Sequence, residues 1–277
     1  MKKSRIQSVV FAACFALASV TSYAQTTTPQ QPAATTQKPF KPEVGQAGKD
    51  VVWVPTPQAL VNKMLDMAKV TPNDFLMDLG SGDGRTVITA AKRGVRAMGI
   101  EYNPDMVELS KKNAAAAGVS DKATFVKADI FETDFSKATV ITLFLLPDLN
   151  LRLRPKILEM APGTRIVANS FRMEAWEPDQ TETVSDDCVS WCTALLWIVP
   201  AKVEGTWHLA QGDLTLSQQF QMLSGTLGSK PISDARMRGD QITFTADGAE
   251  YTGQVKGTSM QGTVKGGSGG SWSATKK

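Results

Sequence analysis

Histidine is almost missing: the 277-residue chain has one, His208, and only three cysteines, Cys14, Cys188 and Cys192. Metal centres draw on clustered imidazole, thiolate and carboxylate ligands. With so few candidates the expectation is no metal, and His208 reads as a strand residue rather than a base or ligand. Long apolar runs are missing as well. The longest, roughly 9–20, is shorter than the ~20 residues that a bilayer span requires. It follows Lys2, Lys3 and Arg5 and precedes Ser22-Tyr23-Ala24, which is the pattern of a cleaved export signal over 1–24. The expectation is a periplasmic protein with no stable membrane insertion. A basic surplus is missing too. Setting aside the three leader cations brings the 30 Lys+Arg into balance with the 27 Asp+Glu. Nucleic-acid binders concentrate cations to neutralise phosphates, so no nucleic acid is expected as a partner.

What is present divides along the chain. Residues 25–50 are rich in Gln, Thr, Pro and Ala and bury too little apolar surface to offset the entropy of ordering, so they read as a disordered linker. Residues 51–201 alternate helix-like and strand-like segments: helix 58–68, strand 75–79, helix 85–92, strand 97–101, helix 104–117 and strand 123–127. Strand 139–145, a helix or turn over 151–160, and strand 165–169 follow, with a further strand over 193–199. This predicts an α/β fold with an open, mostly parallel sheet whose ligand lies at the carboxyl ends of its strands. From 202 to 277 the chain turns Gly-, Thr- and Ser-rich with short alternating runs. That composition predicts a small antiparallel β domain, barrel or sandwich, with Trp207 and Trp272 as core plugs. Cys188 and Cys192 could bridge across a turn or helix. In an extended strand four residues span about 13 Å, beyond disulfide reach, and the spacing leaves the two possibilities open.

The richest stretch is D-L-G-S-G-D-G-R, residues 78–85, at a strand-to-helix corner. Gly80, Gly82 and Gly84 permit a sharp turn and close approach of a ligand to backbone. A dinucleotide site needs G-x-G-x-x-G/A, and Arg85 stands in the third place; a P-loop needs Gly-Lys-Ser/Thr, which does not follow. Asp78 precedes the glycines, Glu101 closes the next strand and Asp129 follows the third. A carboxylate accepts from two vicinal ribose hydroxyls, and Asp129 can accept from an adenine amino group beside Ile130 or Phe131. Three acids ending three strands, with no phosphate-binding lysine, specify a nucleoside carrying a cationic tail.

With G-I-E-Y-N-P at 99–104 and K-A-D-I-F at 127–131, these motifs resemble the cofactor motifs of class I S-adenosylmethionine-dependent methyltransferases. V-P-T-P (54–57), L-F-L-L-P-D-L-N (143–150), L-R-L-R-P (151–155) and P-G-T-R-I-V (162–167) further resemble exported bacterial methyltransferase-like proteins. Those are similar in their cofactor half to the lysine methyltransferases that modify the ATP-synthase c-subunit. The resemblance implies a Rossmann-like class I methyltransferase sheet and S-adenosylmethionine as cofactor. It implies that Asp78, Gly80, Ser81, Gly82 and Gly84 cradle the methionine part, that Glu101 takes the ribose, and that Asp129 with Ile130 takes the adenine. Pro55 and Thr56 would lie over the pocket. Asp148 and Asn150, after the fourth strand, are the candidate catalytic residues; a turn with an Asn cap is the other reading of that stretch. Asn169, Ser170, Phe171 and Arg172 stand where related chains often carry His and Asp, which opens a shift of substrate or a loss of turnover. The implied activity is methyl transfer to a protein lysine or other amine, so the expected partner is a protein or small amine acceptor. The alternative is a noncatalytic binder of S-adenosylmethionine or related nucleosides.

Overall fold

The structure, a computed structural model, describes residues 7–10, 12, 40–267 and 269–277. The export signal, its cleavage site, Cys14 and the linker up to residue 39 lie outside the described residues, apart from a few positions of the leader's apolar run. Phe40–Lys277 forms one compact unit.

Its first part is a seven-stranded sheet. Five parallel strands, β1 (Phe75–Leu79), β2 (Arg96–Glu101), β3 (Ala123–Lys127), β4 (Val140–Leu143) and β5 (Arg165–Asn169), are joined by β6 (Gln180–Thr183) and β7 (Thr193–Ile198) in the order β3-β2-β1-β4-β5-β7-β6. β7 runs antiparallel to both β5 and β6. The strand order reverses between β1 and β4, and a crevice at such a switch point is where open α/β sheets bind ligands.

Alternation within each strand sends successive side chains to opposite faces. Leu76, Ala97, Ala123, Val140 and Val167 pack under helices α1 (Gln58–Met67), α2 (Arg85–Lys92) and α3 (Pro104–Ala116). Met77, Leu79, Ile100, Ile141 and Ile166 pack on the other face against α4 (Pro147–Leu158) and Trp176. α4 starts four residues before the helix or turn expected at 151, because Pro147 supplies the fixed φ that suits a first helical position. β6 went unread: it is short, half-exposed and polar. Part of the linker reading also fails. Residues 45–53 form a hairpin through Gly45 N to Trp53 O and Trp53 N to Gln46 O, 2.8 and 2.9 Å.

The second part is a closed eight-stranded barrel, β8 (Gly205–Leu209), β9 (Gly212–Gln219), β10 (Met222–Leu227), β11 (Lys230–Arg238), β12 (Gln241–Ala246), β13 (Ala249–Lys256), β14 (Ser259–Lys265) and β15 (Gly270–Lys276). All neighbours are antiparallel, and β15 pairs with β8 to close the ring, which removes the open edges that invite aggregation. Trp207 and Trp272 fill the interior as expected. Trp272 stands edge-on to Phe244 and Tyr251 and covers Gly253, where a Cβ would sit 2.5 Å from its ring.

Barrel and sheet are tied together. Ala201 N donates to Gly239 O (2.8 Å), Gln221 Nε2 to Glu177 O (2.7 Å), and Phe220 stacks on Trp176. The buried Asp179 carboxylate accepts from Ile198 N and pairs with Arg236 on β11, both at 2.8 Å. Burial raises the Asp179 pKa, and Arg236 opposes that rise.

Candidate functional site

A cavity of about 290 Å³ opens at the carboxyl ends of β1, β2 and β4. At its floor the chain leaves β1 through Asp78 and turns on Gly80, Gly82 and Gly84, with φ of 88°, 54° and 83°, a left-handed region open chiefly to glycine. Gly80 N and Ser81 N both donate to Ile100 O, at 2.9 and 3.0 Å, so the loop is bolted to the end of β2. A Cβ on Gly82 would lie 2.5 Å from Trp53 Nε1: the hairpin's indole sits directly on the glycine loop.

Glu101, at the end of β2, accepts from Gly82 N through one carboxylate oxygen and from Asn103 N through the other, both at 2.9 Å. Each oxygen keeps capacity for a further donor, so the side chain is oriented but not saturated. Asn103 also caps α3. Asp78 is buried and accepts from Thr142 Oγ1 at 2.6 Å. Loss of solvation, with Glu101 and Asp83 nearby, pushes its pKa up to about 7. Asp129 accepts from Phe131 N at 2.9 Å and pairs with Lys49 of the hairpin, whose ammonium also lies over the Tyr102 ring. Together these contacts, the Lys49 pairing foremost, hold the Asp129 pKa below the usual carboxylate range. Arg85, held by Asp83, donates to Thr56 O at 3.0 Å, which fixes the V-P-T-P stretch at the rim.

The cavity brings together Pro55, Thr56, Asp78, Gly80, Ser81, Gly82, Glu101, Asp129 and Ile130. Gly84 does not join them. A Cβ there would strike Phe125 and Ser110 at 2.8 and 2.9 Å, so this glycine lets α3 and β3 pack beneath the loop. The two candidate catalytic residues are also not in the lining. Asp148 is exposed in the first turn of α4. Asn150 is fully buried, with Nδ2 directed at the carbonyls of Phe171 and Arg172, 3.3 and 3.5 Å, and supports the chain after β5. Asn169 is buried too and reaches Thr56 Oγ1 at 3.4 Å.

Some lining residues were missed. The first half of the hairpin, including Lys49, was absorbed into the linker, and Trp53 was not singled out, although Gly45, Gly48 and Trp53 give the hairpin turn and anchor residues. Phe144, Phe171 and Trp191 also line the cavity, contributed by three separate segments whose convergence no local pattern encodes.

These features fit a nucleoside with a cationic tail. Ser81 Oγ is buried without a hydrogen-bond partner, and a buried polar atom left alone costs about 1–3 kcal/mol, so it suits a ligand's donor or acceptor. Five carboxylates line the cavity, Asp50, Asp78, Asp83, Glu101 and Asp129, against Lys49 and Arg85. Residues 78–180 match the family model of the ANTKMT methyltransferase domain. The chain is 43% identical over 139 residues to a protein-lysine N-methyltransferase of Saccharolobus islandicus, covering 49% of this chain and 86% of that one. The chain belongs to the class I S-adenosylmethionine-dependent methyltransferases. A solved RNA methyltransferase from Salinibacter ruber, in complex with S-adenosyl-L-homocysteine, agrees. It is 46% identical, covers 54% of this chain and 96% of its own, and superposes with a TM-score of 0.51. The mouse ATP-synthase c-subunit lysine N-methyltransferase is 39% identical over 115 residues, covering 41% of this chain. Of that mouse methyltransferase this chain spans about half the length, 47%. The protein is thus a methyltransferase enzyme with S-adenosylmethionine as its cofactor. The barrel lies outside the matched domain.

Among the described residues no helix is long and apolar enough to cross a membrane, and no group of His, Cys, Asp and Glu could hold a metal ion.

Proposed function

We propose that this methyltransferase is an exported protein-lysine N-methyltransferase, with its cofactor held at the acid-ended strands. The observation that carries the cofactor half is the meeting of Asp78, Glu101 and Asp129 in one cavity. Glu101 takes the two ribose hydroxyls with the lone pairs its backbone partners leave free. Asp129, with Ile130 beside it, takes the adenine amino group and shares its charge with Lys49. Asp78, Gly80, Ser81 and Gly82 hold the methionine end. The relatives named for protein lysine support the acceptor class. So does the excess of carboxylate over cation in the cavity, which favours an amine and repels a phosphate-bearing RNA. The N-terminal pattern of residues 1–24 and the Cys188–Cys192 disulfide support export, since structural disulfides persist in oxidising compartments.

The sulfonium brings a methyl group that is already activated. The protein's own tasks are to hold the acceptor nitrogen in line, to exclude water and to bind the amine where its neutral form is accessible. Positioning of this kind contributes several kcal/mol in well-oriented sites, and Phe144, Leu145, Leu146 and Leu149 give the cavity an apolar lining that helps to exclude water.

The test is transfer from methyl-labelled S-adenosylmethionine by the chain lacking residues 1–24, offered cell-envelope proteins in one reaction and total RNA in another. Label recovered as methylated lysine after protein hydrolysis supports the reading. Label in RNA, or none in either pool, overturns it.

A further inference from the structure

Part of the cavity wall is aromatic. Phe144 follows β4, Phe171 follows β5 and Trp191 precedes β7. Their ring centres lie 6.0 Å apart for Phe144 and Phe171, 5.0 Å for Phe171 and Trp191, and 6.1 Å for Phe144 and Trp191. We infer that these three rings form the binding wall for the acceptor's aliphatic ammonium group, and that the Cys188–Cys192 disulfide keeps Trp191 in that wall. The inference rests on the amine reading above and names the residues that would recognise the amine.

Three observations carry it. Trp191 is 44% exposed although it lines the same cavity as Asp78 and Glu101, so an aromatic face is offered to whatever enters. The faces of aromatic rings attract cations, and the carboxylates that line the same cavity add to that attraction.

The second observation is the backbone. Trp191 has φ of 57° and Asp187 φ of 54°, unusual for non-glycine residues and for a bulky one above all. Such conformations persist where the surroundings enforce them. Here the enforcement is covalent, for Cys188 and Cys192 close a five-residue loop with Cα atoms 5.8 Å apart, and Trp191 is the residue next to the bridge.

The third is the support behind the wall. Ser170 N donates to Thr193 O at 2.8 Å, joining the loop after β5 to the start of β7. The buried Asn150 reaches the Phe171 carbonyl from below. Phe171 and Trp191 are therefore carried by two segments sewn to each other, and Asn150 is a positioning residue for the wall rather than a catalytic one.

Opening the bridge needs a dithiol. Two exchange steps oxidise the dithiol to its own disulfide, and its two electrons and two protons leave Cys188 and Cys192 as thiols. Trp191 then loses the constraint on its backbone.

The experiment uses the chain lacking residues 1–24, loaded with S-adenosyl-L-homocysteine, and follows indole N–H resonances. The Trp191 signal is identified by its absence in Trp191→Phe. Titration with tetramethylammonium should move that signal saturably, while tert-butanol, a neutral molecule of similar shape, should not. In Phe171→Leu the cation's affinity should fall about fivefold, in keeping with a cation–π contact. Dithiothreitol, or Cys188→Ser with Cys192→Ser, should lower it to a similar degree and leave the affinity for S-adenosyl-L-homocysteine unchanged, which also certifies the fold. A Trp191 signal indifferent to the cation, or equally moved by the alcohol, overturns the site; an unchanged cation affinity without the bridge overturns the bridge's role. A protein that binds the cation at Trp191 but methylates no lysine would sink the lysine reading and leave the aromatic wall standing.

Discussion

Asp78→Asn is the most informative single change, because the carboxylate is buried at the pivot of the glycine loop and its pKa is raised to about 7. The folded protein holds the Asp78 proton more tightly than the unfolded chain does, so the unfolded chain loses it first as pH rises. The sign follows from linkage: between about pH 4 and 7 the native state carries the extra proton, and stability falls with pH across that window. Below it the contribution is fully present; above it the loss is complete. The interval from 3.8 to about 7, at about 1.36 kcal/mol per pH unit, sets the loss on the order of 4 kcal/mol. Other carboxylates titrate in the same range, so the quantity to measure is a difference. Urea unfolding of the ligand-free protein and of Asp78→Asn should be compared from pH 4 to 8. Asparagine retains an oxygen for the Thr142 hydroxyl and cannot ionise. The stability of the wild type relative to the variant should drop by up to about 4 kcal/mol from pH 4 to pH 7 and then level off. A difference that is flat, or that rises with pH, would refute the reasoning.

By the same linkage a cationic ligand that favours ionised Asp78 should bind more weakly as pH falls below about 7, by no more than tenfold per pH unit; calorimetry with S-adenosylmethionine at pH 6, 7 and 8 checks this. Gly82→Ala should weaken cofactor binding at least tenfold, since its Cβ would displace the Trp53 indole, and the same titration reads it. Arg236→Ala leaves the Asp179 carboxylate buried without its cation and should cost about 1–3 kcal/mol in unfolding free energy, reduced from the fully buried case because Arg236 is itself exposed; adding Asp179→Asn should recover part of the loss. Trp272→Ala, which removes one of the large side chains buried in the barrel, should cost about 3–5 kcal/mol by the same assay.

The sheet was legible because its strands obey local rules: an apolar run, then an acid or a glycine turn, then a helix start. Gly80, Gly82 and Gly84 could be read from spacing, but Gly84's task could not, because it concerns Phe125 and Ser110, distant in sequence. Asp148 and Asn150 were singled out for their chemistry and their place after β4. The helix start at Pro147 turns Asp148 to solvent and buries Asn150 under the loop after β5. The hairpin over the cavity escaped notice because its surroundings are linker-like and its order comes from Trp53 on Gly82 and Lys49 on Asp129, contacts made only once the sheet exists. In the barrel, polar residues and a register shift break the alternation of β10 and β11. The disulfide, undecidable from spacing, is fixed by the turn that precedes β7.

The central claim is that Glu101, oriented by Gly82 N and Asn103 N, holds the cofactor's ribose. Calorimetric titration with S-adenosyl-L-homocysteine tests it most directly, on the chain lacking residues 1–24, on Glu101→Ala and on Asp148→Ala. The account predicts micromolar binding by the wild type, the same affinity in Asp148→Ala, and a loss of at least a hundredfold in Glu101→Ala, as expected when charge-assisted hydrogen bonds worth about 3 kcal/mol are removed. Equal binding by the wild type and Glu101→Ala would contradict it.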